Sequence, residues 1–208
     1  MKAIDTIIFD LGDVLLDLDR SRTEARFRQL LGDDFQRAWQ QTEKEQIFLR
    51  YELGEFEEPD FLDALRRIAG KPLGDDELRA AWNAMLVQIP LQRVEMLQRL
   101  QRSFQVFLLS NTNATHIAWV HRHLQQEYGI RNFEEELFHR VFCSYRLRLY
   151  KPDPAIYRRV LEEAGLSPER TVFIDDLPQN VASAAELGIR AIHHPPGSEV
   201  AHIEFPTG

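Results

Sequence analysis

The sequence holds a single cysteine, Cys143, so no internal disulfide can form within its 208 residues. Cys143 has no cysteine partner for a metal site either, and we interpret it as a small buried residue on a strand. No apolar run is long enough to span a bilayer. The apolar run near the N-terminus is too short for a signal peptide and is interrupted by Asp5 and Thr6. These absences make the cytoplasm the expected location and predict no membrane partner.

Positive charge is also scarce. There are 25 Lys and Arg residues against 33 Asp and Glu residues, and the formal net charge is −8. A chain this acidic is a poor general binder of DNA, RNA or anionic membranes, so we expect no nucleic-acid partner. An anionic small molecule would need a local cation or a metal to offset the repulsion.

The length and composition are those of an ordinary soluble globular protein. Hydrophobic residues make up 44% and charged residues 28% of the 208 residues, which suits one compact domain with a smaller insertion. The sequence has no internal repeat and no low-complexity tract. We expect a monomer or a weak homo-oligomer.

Short apolar runs rich in β-branched residues alternate with amphipathic stretches over most of the chain. The predicted strands are Ile4–Phe9, Gln105–Leu109, Arg140–Cys143, Thr171–Ile174 and Arg190–His193, and Val14–Leu18 is expected to be extended. The predicted helices between them are Arg93–Arg102, Ala114–Tyr128, Pro154–Ala164 and Val181–Leu187. This alternation predicts an α/β, Rossmann-like parallel sheet with helices on both faces.

Residues 20–89 have a different character, because apolar positions there recur at helical spacing and no strand pattern is visible. The predicted helices are Arg22–Leu31, Phe35–Leu53, Phe61–Ala69 and Asp75–Leu86. We interpret this segment as an inserted helical cap domain, with residues 1–19 and 90–208 forming the α/β core domain.

Polar residues follow four of the predicted core elements, at the sheet edge where open parallel sheets bind ligands. They are Asp10, the run that begins with Ser110 and Asn111, Lys151, and the pair Asp175 and Asp176. Each alone has an ordinary structural explanation as a turn residue, a helix cap or a solvated lysine. The adjacent carboxylates of the pair are the hardest to explain in that way, because like charges side by side cost energy without a cation.

As a set, these residues suit phosphoryl transfer. Asp10 can accept a phosphoryl group as a carboxylate nucleophile, and Lys151 can neutralise both nucleophile and phosphate. The hydroxyl of Ser110 and the backbone N–H of Asn111 can bind phosphoryl oxygens. Mg²⁺ prefers oxygen ligands and keeps several waters, so Asp10 and Asp176 suffice to bind it. The predicted cofactor is therefore Mg²⁺, and the predicted substrate is a small phosphorylated molecule.

Four motifs resemble those of haloacid dehalogenase superfamily hydrolases in order and spacing: FDLGDVLLDLD, LLSNTN, YKPDPAIY and FIDDLPQN. The nearest resemblance is to bacterial sugar-phosphate phosphatases of the α-D-glucose-1-phosphate phosphatase group, which share a YExGE stretch in the cap. The resemblance implies a magnesium-dependent phosphatase that forms an aspartyl-phosphate.

The resemblance also implies a role for each matching residue. Asp10 is the nucleophile and a metal ligand, and the carbonyl of Gly12 is a second ligand. Lys151 bridges Asp10 and the phosphate, which Ser110 and Asn111 bind. The resemblance further implies that Asp176 binds the metal directly, that Asp175 acts through water, and that Asn180 supports the outer shell of the metal.

One position departs from the family pattern. Most phosphatases of this superfamily carry an aspartate as general acid and base two residues after the nucleophile, and here that residue is Gly12. The neighbouring Asp13 is either a substitute acid or a solvated turn residue. Without the acid, esters with good leaving groups, such as sugar-1-phosphates, are expected to react best.

Two alternatives and one open question remain. A 2-haloacid dehalogenase needs no general acid, but such enzymes use no magnesium and lack the acidic pair. A catalytically weak binding protein would retain the site without turnover. Within the cap, Tyr51, Glu52, Trp82 and Asn83 are the candidates for contacting the non-phosphate end of a substrate.

Overall fold

The computed structural model describes residues 3–195 and 197–204. Residues 1, 2, 196 and 205–208 of the predicted core domain lie outside this range. Five strands form one sheet in the core: β1 (Thr6–Phe9), β4 (Gln105–Ser110), β5 (Arg140–Cys143), β6 (Thr171–Asp175) and β7 (Arg190–His193). Their order across the sheet is β5-β4-β1-β6-β7.

All neighbouring strands of this sheet are parallel, and β1 lies at its centre. Phe9 at the end of β1 pairs in register with Leu108 of β4 and Ile174 of β6. The carboxyl ends of these three strands therefore meet at one edge of the sheet. The predicted α/β fold class is confirmed.

Helices cover both faces of the sheet. Successive residues of a strand contact different helices, because their side chains point to opposite sides of the sheet. Ile7 packs in one hydrophobic cluster with residues of α6 (Leu91–Leu100) and α7 (Ala114–Tyr128). Ile8 packs in another cluster with residues of α10 (Pro154–Ala164) and α11 (Pro178–Glu186). Two short helices, α8 (Phe133–Glu136) and α9 (Ser144–Leu147), flank β5.

The remaining helices form a separate hydrophobic cluster, and we call them the helical unit. They are α1 (Arg20–Leu31), α2 (Phe35–Lys44), α3 (Ile47–Glu52), α4 (Glu58–Ala69) and α5 (Asp75–Asn83). Their cluster is rich in stacked and tilted aromatic rings, with Phe61 completely buried between Tyr51 and Trp82. Among the described residues, no helix is both long and apolar enough to cross a membrane.

The single helix predicted for Phe35–Leu53 is wrong, since the chain forms two helices there. Gln46 adopts a left-handed conformation with φ of 52° between α2 and α3. One left-handed residue cannot continue a right-handed helix, and it changes the direction of the chain. The turn allows Ile47 and Tyr51 on α3 to enter the cluster of the helical unit.

The prediction that residues 20–89 contain no strand is also wrong. The helix predicted to reach Leu86 ends at Asn83, and β3 (Leu86–Gln88) pairs antiparallel with β2 (Asp17–Leu18) where the helical unit joins the core. The extended segment predicted for Val14–Leu18 is limited to β2. The residues before it form a turn in which Leu11 O accepts hydrogen bonds from the next two leucines, at 2.8 and 2.7 Å.

A buried hydrogen-bond chain joins the helical unit to the core. The Tyr51 hydroxyl lies 2.6 Å from Thr115 Oγ1, and the Thr115 backbone N–H donates to the same hydroxyl at 3.2 Å. Thr115 Oγ1 donates in turn to Glu58 Oε2 at 3.0 Å. Because Thr115 lies in the first turn of α7, its N–H has no partner within that helix.

We predict that Tyr51→Phe lowers the free energy of unfolding by about 1–3 kcal/mol, because it leaves the buried backbone N–H of Thr115 without its partner. Urea denaturation followed by tryptophan fluorescence measures the change. Tyr145→Phe is the matched control, since that hydroxyl accepts from Arg146 Nε at the surface. Equal losses of stability in the two variants would show that the hydrogen bonds of Tyr51 do not stabilise the contact between the helical unit and the core.

Candidate active site

The carboxyl ends of the central strands converge on one buried lysine. Lys151 Nζ lies 2.8 Å from Asp10 Oδ1 and 2.6 Å from Asp175 Oδ2, and it donates to the carbonyl of Leu109 at 3.1 Å. Asp10 follows β1, Leu109 lies in β4 and Asp175 ends β6. The lysine side chain is 1% exposed. Lys151 is therefore an internal counter-charge, and the alternative interpretation as a solvated loop lysine is wrong.

Burial dominates the electrostatics of this cluster. It raises the pKa of Asp10 to about 7, with Asp175 adding to the rise while the Lys151 ammonium opposes it. Burial acts to lower the pKa of Lys151, but the two carboxylates outweigh it and the pKa lies above its usual range. The ammonium is thus the group that favours an ionised Asp10, the form needed for nucleophilic attack.

The two adjacent carboxylates at the end of β6, Asp175 in the strand and Asp176 after it, lie in different surroundings. Asp175 is completely buried, and its Oδ1 accepts hydrogen bonds from Leu177 N and Asn180 Nδ2, each at 2.9 Å. Asp176 is partly exposed and forms no ion pair with any described residue. Burial raises the pKa of Asp176, and the nearby charges of Asp175 and Asp13 raise it further. Asp175 is therefore the member of the pair that already has an ammonium and two N–H groups as partners.

The carboxylates of Asp10, Asp175 and Asp176 fit a metal ion. Each offers an oxygen, and these oxygens lie within 4.8 Å of one another. Three carboxylates so close together repel one another, and Lys151 supplies only one opposing charge. The donor set consists of oxygen atoms, which is the type that Mg²⁺ prefers.

The side chain of Asn111 has a structural partner. Its Oδ1 accepts from Lys151 N at 2.9 Å and its Nδ2 donates to Lys151 O at 3.0 Å, so that it holds the lysine backbone from both sides. The buried Ser110 hydroxyl makes only a long contact of 3.5 Å, to the carbonyl of Asn111. The sequence missed this use of the amide, because Asn111 and Lys151 are 40 residues apart in the chain.

Gly12 lies on the wall of the cavity above Asp10. A Cβ at this position would lie 2.8 Å from Leu18 Cδ1, so the Leu18 side chain would have to move to admit any larger residue. Asp13 is held in a left-handed turn with φ of 56°, and its Oδ2 accepts from Arg20 Nη1 at 2.7 Å. Asp13 is not among the described residues that line the cavity.

The cavity has a volume of about 380 Å³ and extends from Asp10 to the helical unit. Its lining on the core side includes the predicted site residues Ser110, Asn111, Lys151, Asp176 and Asn180. Its lining on the other side is more apolar and includes Trp39, Phe48, Glu52, Trp82 and Met85.

Two of the four cap residues singled out from the sequence line this cavity, namely Glu52 and Trp82. Tyr51 instead joins the helical unit to α7, and Asn83 lines a separate groove between α5 and α7. The sequence analysis assigned no role to Tyr150, whose hydroxyl donates to Glu52 Oε2 at 2.9 Å. Its position directly before Lys151 in the YKPDPAIY motif was the available signal.

The chain matches known proteins over nearly its whole length. It is 26% identical over 197 residues to the D-ribitol-5-phosphate phosphatase of Bacteroides thetaiotaomicron, covering 94% of each chain. A HAD family enzyme of the same organism, solved in complex with magnesium and inorganic phosphate, is 35% identical. That match covers 96% of this chain and 98% of the other, with a TM-score of 0.85.

A structure of a HAD-like family hydrolase from Porphyromonas gingivalis is 30% identical. It covers 95% of this chain and 94% of its own, with a TM-score of 0.84. These likenesses confirm the predicted family resemblance and enzyme class, a phosphoric monoester hydrolase. The sequence model described as "Hydrolase: haloacid dehalogenase-like hydrolase" matches residues 4–188. The chain therefore belongs to the haloacid dehalogenase-like hydrolase family.

Proposed function

We propose that this protein is a magnesium-dependent phosphatase of small sugar or polyol phosphates that works through an aspartyl-phosphate on Asp10. The observation that carries the proposal is the Asp10 carboxylate at the base of the cavity, 2.8 Å from the Lys151 ammonium and beside the other two carboxylates. A carboxylate held in this way can attack phosphorus.

The first step joins an Asp10 oxygen to phosphorus and breaks the ester P–O bond. Lys151 balances the charge of the nucleophile and of the incoming phosphoryl group, while Ser110 and the Asn111 backbone bind phosphoryl oxygens. The leaving alkoxide takes its proton from water in our scheme, because Gly12 supplies no acid. In the second step water attacks phosphorus and breaks the bond between phosphorus and the Asp10 oxygen. This releases inorganic phosphate, restores the Asp10 carboxylate and returns to solvent a proton that balances the one taken by the leaving alkoxide.

Asp10, Asp176 and the Gly12 carbonyl would hold Mg²⁺, with Asp175 acting through water and Asn180 supporting Asp175. When bound, the ion would neutralise charge that develops on the phosphoryl oxygens. The engaged oxygens of Asp175 support this division of roles, since Lys151, Leu177 N and Asn180 already occupy them.

The helical unit supports the assignment of a cap, with residues 20–89 as the cap domain and residues 1–19 and 90–208 as the core domain. It closes the cavity opposite Asp10 with aromatic side chains and Glu52. A sugar or polyol substrate fits the name of the relative that acts on D-ribitol-5-phosphate. A cytoplasmic enzyme without nucleic-acid or membrane partners, either a monomer or a weak homo-oligomer, remains our proposal.

We predict that the wild-type protein releases phosphate from p-nitrophenyl phosphate with Mg²⁺ and stops when the metal is chelated. Asp10→Asn should lower kcat by at least about 10⁴-fold, because the amide cannot attack phosphorus. Circular dichroism and thermal melting show whether the variant stays folded. Halide release from a 2-haloacid without metal would instead establish a dehalogenase, and absence of both activities a binding protein.

Replacing Asp175 and replacing Asp176 should have different effects on stability and on Mg²⁺ binding. Asp175→Asn should lower the free energy of unfolding by about 3–5 kcal/mol, because it breaks a buried ion pair. Asp176→Asn should leave metal-free stability unchanged or raise it, since it removes a like charge, and should weaken Mg²⁺ binding by about 100-fold or more. Urea denaturation and calorimetric titration measure the two effects. The assignment is wrong if Asp176→Asn destabilises as Asp175→Asn does, or binds Mg²⁺ normally.

Asp13→Asn tests the substitute-acid hypothesis. Asn tolerates the left-handed conformation and still accepts from Arg20, so we predict kcat/KM within about threefold of wild type. The measurement is a series of aryl and alkyl phosphates of increasing leaving-group pKa. A large loss that grows with leaving-group pKa would make Asp13 the general acid.

A further inference from the structure

The non-phosphate end of the cavity contains one acidic group whose second oxygen is free. Glu52 is the last residue of α3, and its Oε2 accepts from the Tyr150 hydroxyl at 2.9 Å. No hydrogen bond within the described part of the chain engages Glu52 Oε1. Both Glu52 and Tyr150 line the same cavity as Asp10. A polar pair with spare hydrogen-bonding capacity therefore faces the position of the substrate.

The structure holds this pair in a fixed place. Ser144 Oγ, on the core, donates to the Glu52 carbonyl at 2.6 Å. Gly54 lies so close to the core that a Cβ on it would come within 2.1 Å of Tyr145 O. On the other side, Tyr150 directly precedes Lys151, whose backbone is held by Asn111. Glu52 is thus positioned by the core and not by the helical unit alone.

The described cations that line the cavity are either paired inside the core or exposed at its rim. Lys151 is committed to Asp10 and Asp175. Arg20 lies at the rim, where its side chain is 65% exposed and pairs with Asp13. Burial lowers the pKa of His116 to about 4, so this cavity residue is neutral near pH 7. Among the described lining residues, no buried cation faces the non-phosphate end.

This charge distribution discriminates between substrate classes. A second phosphate or a carboxylate on the substrate would meet Glu52, whose ionised form repels it, and no buried cation, because Arg20 is exposed and paired with Asp13. Burial raises the pKa of Glu52 to about 7, while the Tyr150 hydroxyl and Arg20 oppose the rise. Its free oxygen can accept a hydrogen bond from a substrate hydroxyl in either protonation state.

The remaining wall suits a carbon skeleton. Phe48 and Trp82 stack with ring centroids 4.5 Å apart, and both line the cavity with Trp39. Aromatic faces bury the C–H groups of a sugar or polyol, while its hydroxyls need polar partners such as Glu52.

We propose that Glu52 and Tyr150 form the specificity site of this enzyme and restrict it to phosphate monoesters of neutral polyhydroxylated compounds. The proposal rests on the phosphatase function proposed above. The expected substrate offers hydroxyls to the Glu52 carboxyl and C–H groups to the aromatic wall, and it carries no second anionic group.

The test compares three substrates: D-ribitol-5-phosphate, phosphoglycolate as an anionic ester, and p-nitrophenyl phosphate as a reference that lacks hydroxyl groups. The wild-type enzyme should prefer the polyol ester to phosphoglycolate by about 100-fold in kcat/KM. Glu52→Ala should lower kcat/KM for the polyol ester by about 10–100-fold and leave the aryl ester within about threefold. Tyr150→Phe should act in the same direction by about 3–10-fold.

Three further variants sharpen the result. Glu52→Lys should narrow or reverse the preference for the polyol ester over phosphoglycolate, because it places a cation at the wall that the phosphoglycolate carboxylate would face. Glu55→Ala is the matched control, since Glu55 is an exposed neighbour that pairs with Arg50, and it should change neither rate. Glu52→Gln keeps the size of the side chain and serves if Glu52→Ala does not fold, with a smaller loss of the same selectivity.

The outcomes are distinguishable. Equal losses for the polyol and aryl esters would overturn the specificity role and show that Glu52 acts through folding. Unchanged selectivity in Glu52→Lys, or a wild-type preference for phosphoglycolate, would also overturn it while leaving the phosphatase intact. No metal-dependent phosphate release from any ester by the wild-type enzyme would instead refute the function on which the proposal rests.

Discussion

The ion cluster of Lys151 with Asp10 and Asp175 determines how the rest of the site is arranged. One ammonium lies within 2.8 Å of two carboxylates inside the protein, and it draws the ends of β1, β4 and β6 together. A buried charge without its partner is costly, so each member constrains the positions of the others. Two carboxylates against one ammonium leave excess negative charge, to which Asp176 adds. This excess of negative charge explains why the cluster suits a divalent cation.

The proposed function separates the chemistry from recognition. In our proposal, the sheet edge supplies the nucleophile, the ammonium and the oxygen ligands, while the helical unit supplies the aromatic wall and Glu52. The two parts meet through buried polar contacts, including Tyr51 with Thr115 and Ser144 with the Glu52 carbonyl. In our account, the cluster determines which bond is broken and the opposite wall determines which ester enters.

The sequence predicted the sheet and the convergence of Asp10, Lys151, Asp175 and Asp176, because strand periodicity and strand-end residues are local signals. It missed the break at Gln46, since a left-handed residue other than glycine leaves no compositional sign. It also missed β3, which is short and depends on pairing with β2. The different surroundings of Asp175 and Asp176, and the meeting of Glu52 with Tyr150, depend on side chains distant in sequence. No single-sequence pattern encodes those contacts.

The most direct test of the central claim is the stereochemical course at phosphorus. The substrate is a phosphorothioate ester made chiral with oxygen isotopes and hydrolysed in isotopically labelled water. Attack by Asp10 followed by attack by water comprises two in-line displacements, each of which inverts phosphorus. The account therefore predicts overall retention of configuration in the inorganic thiophosphate. Overall inversion would show a single direct attack by water and would contradict the role of Asp10 as nucleophile.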